Sequence, residues 1–302
     1  MYDLIIVGGG PAGLTAAIYA IRKRLDVFMI SQDLGGKSNY RMELPDVETH
    51  QVIRGTEMVD KFWRELDYLD FARRLEPVTR ITRQDEGFVV ITTEGEELTS
   101  RAVIVATGAR VRYLDVPGER DYIGSGLSYS AMSYAPLFLN RRALVVGDGD
   151  RALKAVTELA SVADTVHLVA HTPRALATPL VKRLATELKV VVWEGYEVRA
   201  IQGDEYVRRV VLATAEGVEA QVDVDGVFVE LGLLPNSEPV QGLVDLDDKG
   251  RIVIDKRNRT SCPGVFAAGD VTDAFAEQVL IAIGEGAKAA LSAYDYLLPS
   301  LE

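Results

Sequence analysis

Residues 3–31, DLIIVGGGPAGLTAAIYAIRKRLDVFMIS, decide how this chain is read. An apolar run ends at Gly8-x-Gly10-x-x-Gly13, a helical pattern follows, and a second apolar run over residues 27–30 closes the unit. Glycines at that spacing permit a tight turn and bring the backbone close to a diphosphate. The amino end of the following helix supplies N–H groups and a favourable dipole. A Gly-x-Gly-x-x-Gly on its own is weak evidence. Framed by strand, helix and strand, it predicts a dinucleotide-binding βαβ unit.

The motif returns in residues 141–170, RRALVVGDGDRALKAVTELASVADTVHLVA, where Gly147-x-Gly149-x-x-Ala152 again stands between an apolar run and a helical pattern. A strand is expected over residues 166–170 to close this second unit. An internal repeat of this kind points to two nucleotide-binding domains. Between the repeats, residues 87–109 (GFVVITTEGEELTSRAVIVATGA) read as alternating strands with a turn at Glu94-Gly95, then a buried strand ending at Thr107-Gly108. Further strands are expected in KVVVWEG, VRRVVLATAEG and GVFVELGLLPN, and an amphipathic helix from about residue 278 to 298. Proline and glycine mark candidate hinges in LDVPGE near Val116 and in LLPNSEP near Pro235.

Bulk properties narrow the function. With 302 residues, 48% of them hydrophobic, two domains are favoured over one. A formal charge of -12 argues against nucleic acid and against an acidic membrane surface, since both draw on clustered Lys and Arg. The opening apolar run has no basic segment ahead of it and is broken by glycines, so it reads as neither signal peptide nor membrane span, and a cytoplasmic location follows as the default. Cys262 is the single cysteine, which leaves no CxxC pair and no cysteine-rich metal site. His50, His167 and His171 are too scattered for a metal centre, and no metal is expected. Cys262 itself reads as core packing.

Taken together, GGGPAGL, Gly35-Gly36, ATGARVRYLDVPGE, LGLLPN, TSCPGVFAAGDV and QVLIAIGEGAKAA fall in an order that resembles the low-molecular-weight thioredoxin reductases over essentially the whole chain. The resemblance implies an α/β fold of two Rossmann-like, three-layer nucleotide-binding domains, the second inserted into the first. It places a discontinuous FAD domain at residues 1–115 and 238–302 and an NAD(P)-binding-like domain at 116–237. A homodimer with non-covalent FAD is implied as well. Carried over residue by residue, Gly8, Gly10, Pro11, Ala12 and Gly13 meet the FAD pyrophosphate, with Gly36 and Lys37 beside them. Thr107 and Gly108 lie near the adenosine end, and Val78 is a backbone contact to adenine. Asp270, after Gly269, accepts from the ribityl chain, and Gln278 and Val279 open a helix facing the pyrimidine edge of the flavin.

The chain also departs from the family pattern. The ribose-binding acid at the end of the second strand is replaced by Ser31, with Asp33 lying 20 residues after Gly13 and offering a carboxylate from the loop. Lys37 replaces the usual glutamine, putting a cation near the flavin or else a solvated lysine in a loop. Glu277 stands where an arginine usually precedes the glutamine. In the second motif, Asp148 sets a carboxylate where a diphosphate would rest, Arg151 replaces a serine, Lys154 and Ala155 replace paired glutamates, and the arginine cluster for the 2'-phosphate of NADPH reads AHTPR, with only His171 and Arg174 in its vicinity. Use of NADPH is therefore doubtful, and NADH, another ligand or none stays open for this degenerate site.

The sharpest departure is GLSYSAMSYAP, residues 126–136, in which Ser130 and Ser133 align with the family's two redox cysteines. Hydroxyls cannot exchange electrons as a dithiol and disulfide do, so thioredoxin reduction through this motif is excluded chemically. The leading expectation is a flavoenzyme that passes electrons through FAD between a donor, NADH or a ferredoxin- or flavodoxin-type protein, and an unidentified acceptor. The alternative is a non-catalytic flavin- or nucleotide-binding protein, a sensor or scaffold on the reductase fold. Tyr129 and Tyr134 read as core residues or as a platform for a second ligand.

Overall fold

The computed structural model describes residues 1–39, 42–46, 72–170 and 189–300, with further helical positions at 57, 60–62, 64, 179 and 183. β1 (Tyr2–Gly9), α1 (Pro11–Arg22) and β2 (Val27–Leu34) form the first βαβ unit. β3 (Ala72–Leu75), β4 (Val78–Gln84), β5 (Gly87–Thr92) and β6 (Glu97–Val105) follow, and a short strand, β7 (Ala109–Val111), leads out. Next come β8 (Leu127–Ser128), α2 (Ala131–Tyr134), β9 (Arg142–Val146), α3 (Asp150–Ala160), β10 (Thr165–Ala170) and β11 (Val190–Glu194). β12 (Tyr196–Gly203), β13 (Val207–Thr214), β14 (Glu219–Asp223) and β15 (Gly226–Val229) precede the return strand β16 (Leu233–Pro235). The chain ends with β17 (Val265–Ala267) and α4 (Val279–Leu297).

These elements make two compact units. One contains Met1–Asn39, the described residues up to Arg110, and Leu234 onward; the other contains residues 42–46 and Val111–Leu233. The crossings lie inside β7 and β16, strands that pair with each other, whereas the hinge signals suggest 115/116 and 237/238. The turn at residues 114–119 belongs to the second unit because it is fastened there. Ile201 N donates to Pro117 O at 2.9 Å, a Cβ on Gly118 would meet Ile201 O, and the buried Glu119 carboxylate accepts from Leu114 N and Asp115 N.

The first unit is built on a seven-stranded sheet in the order β3-β2-β1-β6-β5-β4, with β17 also on β6. β1 is parallel to β2 and β6; β6 pairs β5 antiparallel through its first half and β17 parallel through its second. Leu4 and Ile6 of β1 enter one core with α1 and α4, while Ile5 and Val7 enter another with Val265 and Ile252. A central parallel strand must be apolar on both faces, and this is why the run LIIV does not alternate. Cys262 is a buried, free thiol in that second core. The other unit carries an all-parallel sheet, β11-β10-β9-β15-β8, and a separate antiparallel sheet, β12-β13-β14. Both units are thus Rossmann-like α/β layers, and α3 packs Ala152, Ala155, Val156 and Leu159 into the core of this other unit.

Candidate cofactor site

The first glycine loop shows what each glycine is for. Gly8 has φ +118, and a Cβ there would meet Ala106 O at 2.1 Å, so it serves the turn and lets β6 run close by. A Cβ on Gly13 would lie 1.8 Å from Gly8 O, so Gly13 lets α1 close onto β1. Gly10 is different. Its φ is -75, which suits any residue, and a Cβ there meets nothing within 4 Å. The fold itself does not require glycine at that position, whereas a ligand lying on the backbone does. Gly10 caps α1, Pro11 takes the first helical position, where its missing N–H costs nothing, and Ala12 is buried behind them. The loop therefore fits a diphosphate at a helix amino end.

Other expected residues gather around this helix start. A Cβ on Gly36 would lie 3.6 Å from Gly10 Cα, and one on Gly269 would lie 3.1 Å from Ala12 Cβ. Lys37, in the short helix after Gly35, places its Nζ 2.7 Å from Asp270 Oδ2. Thr107 and Gly108 follow β6 and are clasped by Asn236. Thr107 Oγ1 donates to Asn236 O at 2.7 Å, Asn236 Nδ2 donates to Thr107 O at 2.9 Å, and Asn236 N donates to Gly108 O at 3.0 Å. Gln278 caps α4 and Val279 begins it, on the helix that packs against α1. Val78 begins β4, three strands from β1 in the sheet order.

Asp33 does not sit in a loop as its spacing suggests; it is the penultimate residue of β2, because that strand continues to Leu34 beside Gly9. Its Oδ1 accepts from Gly36 N at 2.9 Å, so the carboxylate braces the Gly35-Gly36 turn, while Ser31 Oγ donates to Asp33 O at 2.5 Å.

Sequence reasoning missed two residues. Asn236 lies in the quoted LGLLPN run, but only the fold shows that it holds the Thr107 turn. Glu285 is a buried acid on the apolar helix α4, and its Oε2 accepts from Gly269 N at 2.8 Å. Burial pushes its carboxyl above the usual range, with Asp270 adding to the rise, while the bond from Gly269 N and the charge of Lys288 pull the other way. An isolated carboxylate in VLIAIGEGAKAAL was the signal available for it.

In the second unit the glycine loop keeps its shape. Gly147 has φ +154 and lies over Ala152, while a Cβ on Gly149 meets nothing within 4 Å. Its charges differ from those of the first loop. Asp148 is half-buried, and Arg151 Nε lies 3.1 Å from the Oε2 of Glu230, a carboxylate only 5% exposed. The other oxygen of Glu230 accepts from Ala131 N at 2.8 Å, which ties the start of α2 to this loop. Lys154 is exposed and Ala155 buried, as the two faces of α3 dictate. His171, Arg174 and His50 lie outside the described residues. His167 is a packing residue whose Nδ1 accepts from Trp193 Nε1 at 3.1 Å, and burial holds its imidazole below the usual range.

Ser130 caps α2 and Ser133 lies one turn on, with their Oγ atoms 2.9 Å apart. Tyr129 beside them is buried, its OH donating to Glu119 Oε1 at 3.1 Å and its ring edge-on to Tyr113, so it belongs to the core. Tyr134 packs half-buried against the core of the same unit.

Two glycine-headed βαβ units, each with an unobstructed glycine at its helix start, define a dinucleotide-binding fold. The chain belongs to the pyridine nucleotide-disulphide oxidoreductase family, whose model matches residues 2–286, and so to a family of FAD-dependent oxidoreductases. It is 34% identical over 300 residues to an NADH dehydrogenase of Bacillus subtilis. Over 300 residues it is also 35% identical to a Staphylococcus aureus alkyl hydroperoxide reductase subunit. In both cases the match takes in 98% of this chain and 59% of the relative, so the chain spans about three-fifths of these curated relatives. The crystal structure of thioredoxin reductase from Streptococcus pyogenes superposes with a TM-score of 0.90 at 34% identity, covering 99% of both chains. Thioredoxin reductase from Giardia duodenalis gives 0.86 at 29% identity, covering 98% of this chain and 99% of that one. The resemblance to thioredoxin reductases holds in fold, and the redox cysteine pair is absent. Among the described residues no helix is long and apolar enough to cross a membrane.

Proposed function

We propose that the chain is an FAD-dependent oxidoreductase that moves electrons through its flavin without protein thiols, between NADH or a ferredoxin- or flavodoxin-type protein and an acceptor other than a thioredoxin disulfide. The observation that carries this reading is the hydroxyl pair: Ser130 and Ser133 face each other at 2.9 Å where the family has cysteines, and the one cysteine, Cys262, is buried in the first unit. A bound flavin supplies two-electron acceptance and delivery; the residues of this chain hold it and control what reaches it. Gly8, Gly10 and Gly13 shape the diphosphate seat, Asp270 offers an acceptor to the ribityl chain, and the amino end of α4 favours negative charge on a reduced ring.

For the donor, the open Gly149 supports a dinucleotide at the second loop, and a Bacillus subtilis relative carries the name NADH dehydrogenase. Against it stand the carboxylate of Asp148 and the engagement of Arg151 by the buried Glu230. The sequence AHTPR at residues 170–174 carries no arginine cluster for a 2'-phosphate, so NADH is favoured over NADPH. The same altered loop supports the second reading, a flavin-binding sensor or scaffold without turnover. A homodimer belongs to the proposal by family resemblance. Anaerobic mixing of the FAD-loaded protein with NADH, NADPH and reduced ferredoxin tests it. Bleaching by NADH or by the protein donor is the expected result, and failure of all three to bleach the flavin would leave the scaffold reading in its place.

A further inference from the structure

We propose that Lys37 is a charge-compensating residue of the FAD cradle, neutralising Asp270 so that a carboxylate and a diphosphate can share one helix start. This rests on the cofactor reading above. Lys37 Nζ and Asp270 Oδ2 are 2.7 Å apart, with side chains 29% and 18% exposed. Each partner is delivered by a loop that is itself fastened. Gly36 lies against Gly10 and is held by the Asp33 carboxylate, while Gly269 lies against Ala12 and is held by Glu285. The pair is therefore built into the walls of the cradle, unlike a surface bridge between two freely moving side chains.

The charges around it explain why a cation is useful. Asp33, Asp270 and the buried Glu285 bring three carboxyl groups to the loops around α1, and FAD adds a diphosphate. The N–H groups at the start of α1, and Lys288, whose charge acts on Glu285, offset part of this charge. Lys37 is the ammonium that the structure brings to the exposed side of Asp270, and without it the carboxylate would face the incoming diphosphate uncompensated. The effect of Lys37 should then depend on Asp270 carrying its charge. A lysine that merely contacted the ligand, or merely stiffened the loop, would act regardless of Asp270.

The test is a double-mutant cycle on flavin affinity. Wild type, Lys37→Gln, Asp270→Asn and the double variant are stripped of flavin and titrated with FAD, binding being read from quenching of flavin fluorescence at low and at physiological ionic strength. Lys37→Gln is expected to weaken FAD binding about tenfold at low salt, with the loss shrinking as salt is added. In the Asp270→Asn background the same change should cost less than about threefold, and Lys37→Arg should keep most of the affinity. Equal losses in both backgrounds, or no loss in Lys37→Gln, overturn the proposal. Melting of the flavin-free variants identifies a folding defect, in which case Lys37→Met takes the place of Lys37→Gln under the same criteria. A wild-type protein that binds no FAD overturns the function proposed above and this inference with it, and that outcome shows before any variant is compared.

Discussion

At the scale of single residues, the first loop separates what the fold needs from what a ligand needs. Gly8 and Gly13 are required by the protein's own backbone, through a positive φ at the first and a 1.8 Å encounter with Gly8 O at the second. Gly10 has neither constraint, and Gly36, the residue before Lys37, lies against it. Gly13→Ala should therefore destabilise the flavin-free protein by about 2 kcal/mol or more, since α1 has to move off β1. Gly10→Ala should change that stability by less than about 1 kcal/mol, the cost of a poorer cap, and yet lose most of its affinity for FAD. Melting of the flavin-free variants together with FAD titration checks both; if Gly10→Ala bound FAD as wild type does, the diphosphate seat would be misplaced.

At the scale of elements, α4 and α2 each carry a polar device inside apolar packing. α4 approaches α1 through Gly286, where a Cβ would lie 2.1 Å from Ala12 O, and its neighbour Glu285 is buried beside the Gly269 loop. Burial first, and Asp270 in addition, raise the Glu285 pKa above its ordinary value. A carboxyl that is easier to protonate when folded favours the fold most below its unfolded pKa, and that advantage is lost as pH rises through the raised value. Glu285→Gln keeps an acceptor for Gly269 N and carries no charge. Its melting temperature should exceed that of wild type by a few degrees at neutral pH, with the gain vanishing as pH falls toward about 4.5. A gain that is independent of pH would assign the effect to packing. At α2, the oxygens of the capping Ser130 and of Ser133, one turn on, stand 2.9 Å apart, so sulfurs placed at these two positions would be direct neighbours. The double variant Ser130→Cys, Ser133→Cys should form an intramolecular disulfide on mild oxidation, read as the loss of two titratable thiols, while Cys262 stays buried and unreactive. Two persistent free thiols after oxidation would mean that α2 does not hold these two positions side by side.

At the scale of the whole molecule, the parts legible in the sequence are those whose cause is local. The two βαβ units follow from apolar runs and glycine spacing, and both form where the pattern puts them. Asp33 reads as a loop residue because Gln32 and Asp33 interrupt the apolar run, and β2 nevertheless continues past them along Gly9. The pairs Lys37–Asp270 and Glu285–Gly269, and the anchoring of Gly118 under Ile201, join residues far apart in the chain, and no periodicity announces them. Net charge is the global property that sequence does give, and it bears directly on the donor. At -12, the chain repels an acidic protein donor over distances that salt controls, since the screening length falls from about 30 Å at 0.01 M to about 10 Å at 0.1 M. Reduction of the flavin by an acidic redox protein should therefore speed up several-fold across that range. NADH carries few charges, and its reduction rate should change by less than about twofold. Stopped-flow traces of flavin bleaching at a series of salt concentrations distinguish the two. A rate for the protein donor that falls as salt rises would show that a local basic patch, and not the overall charge, governs the encounter.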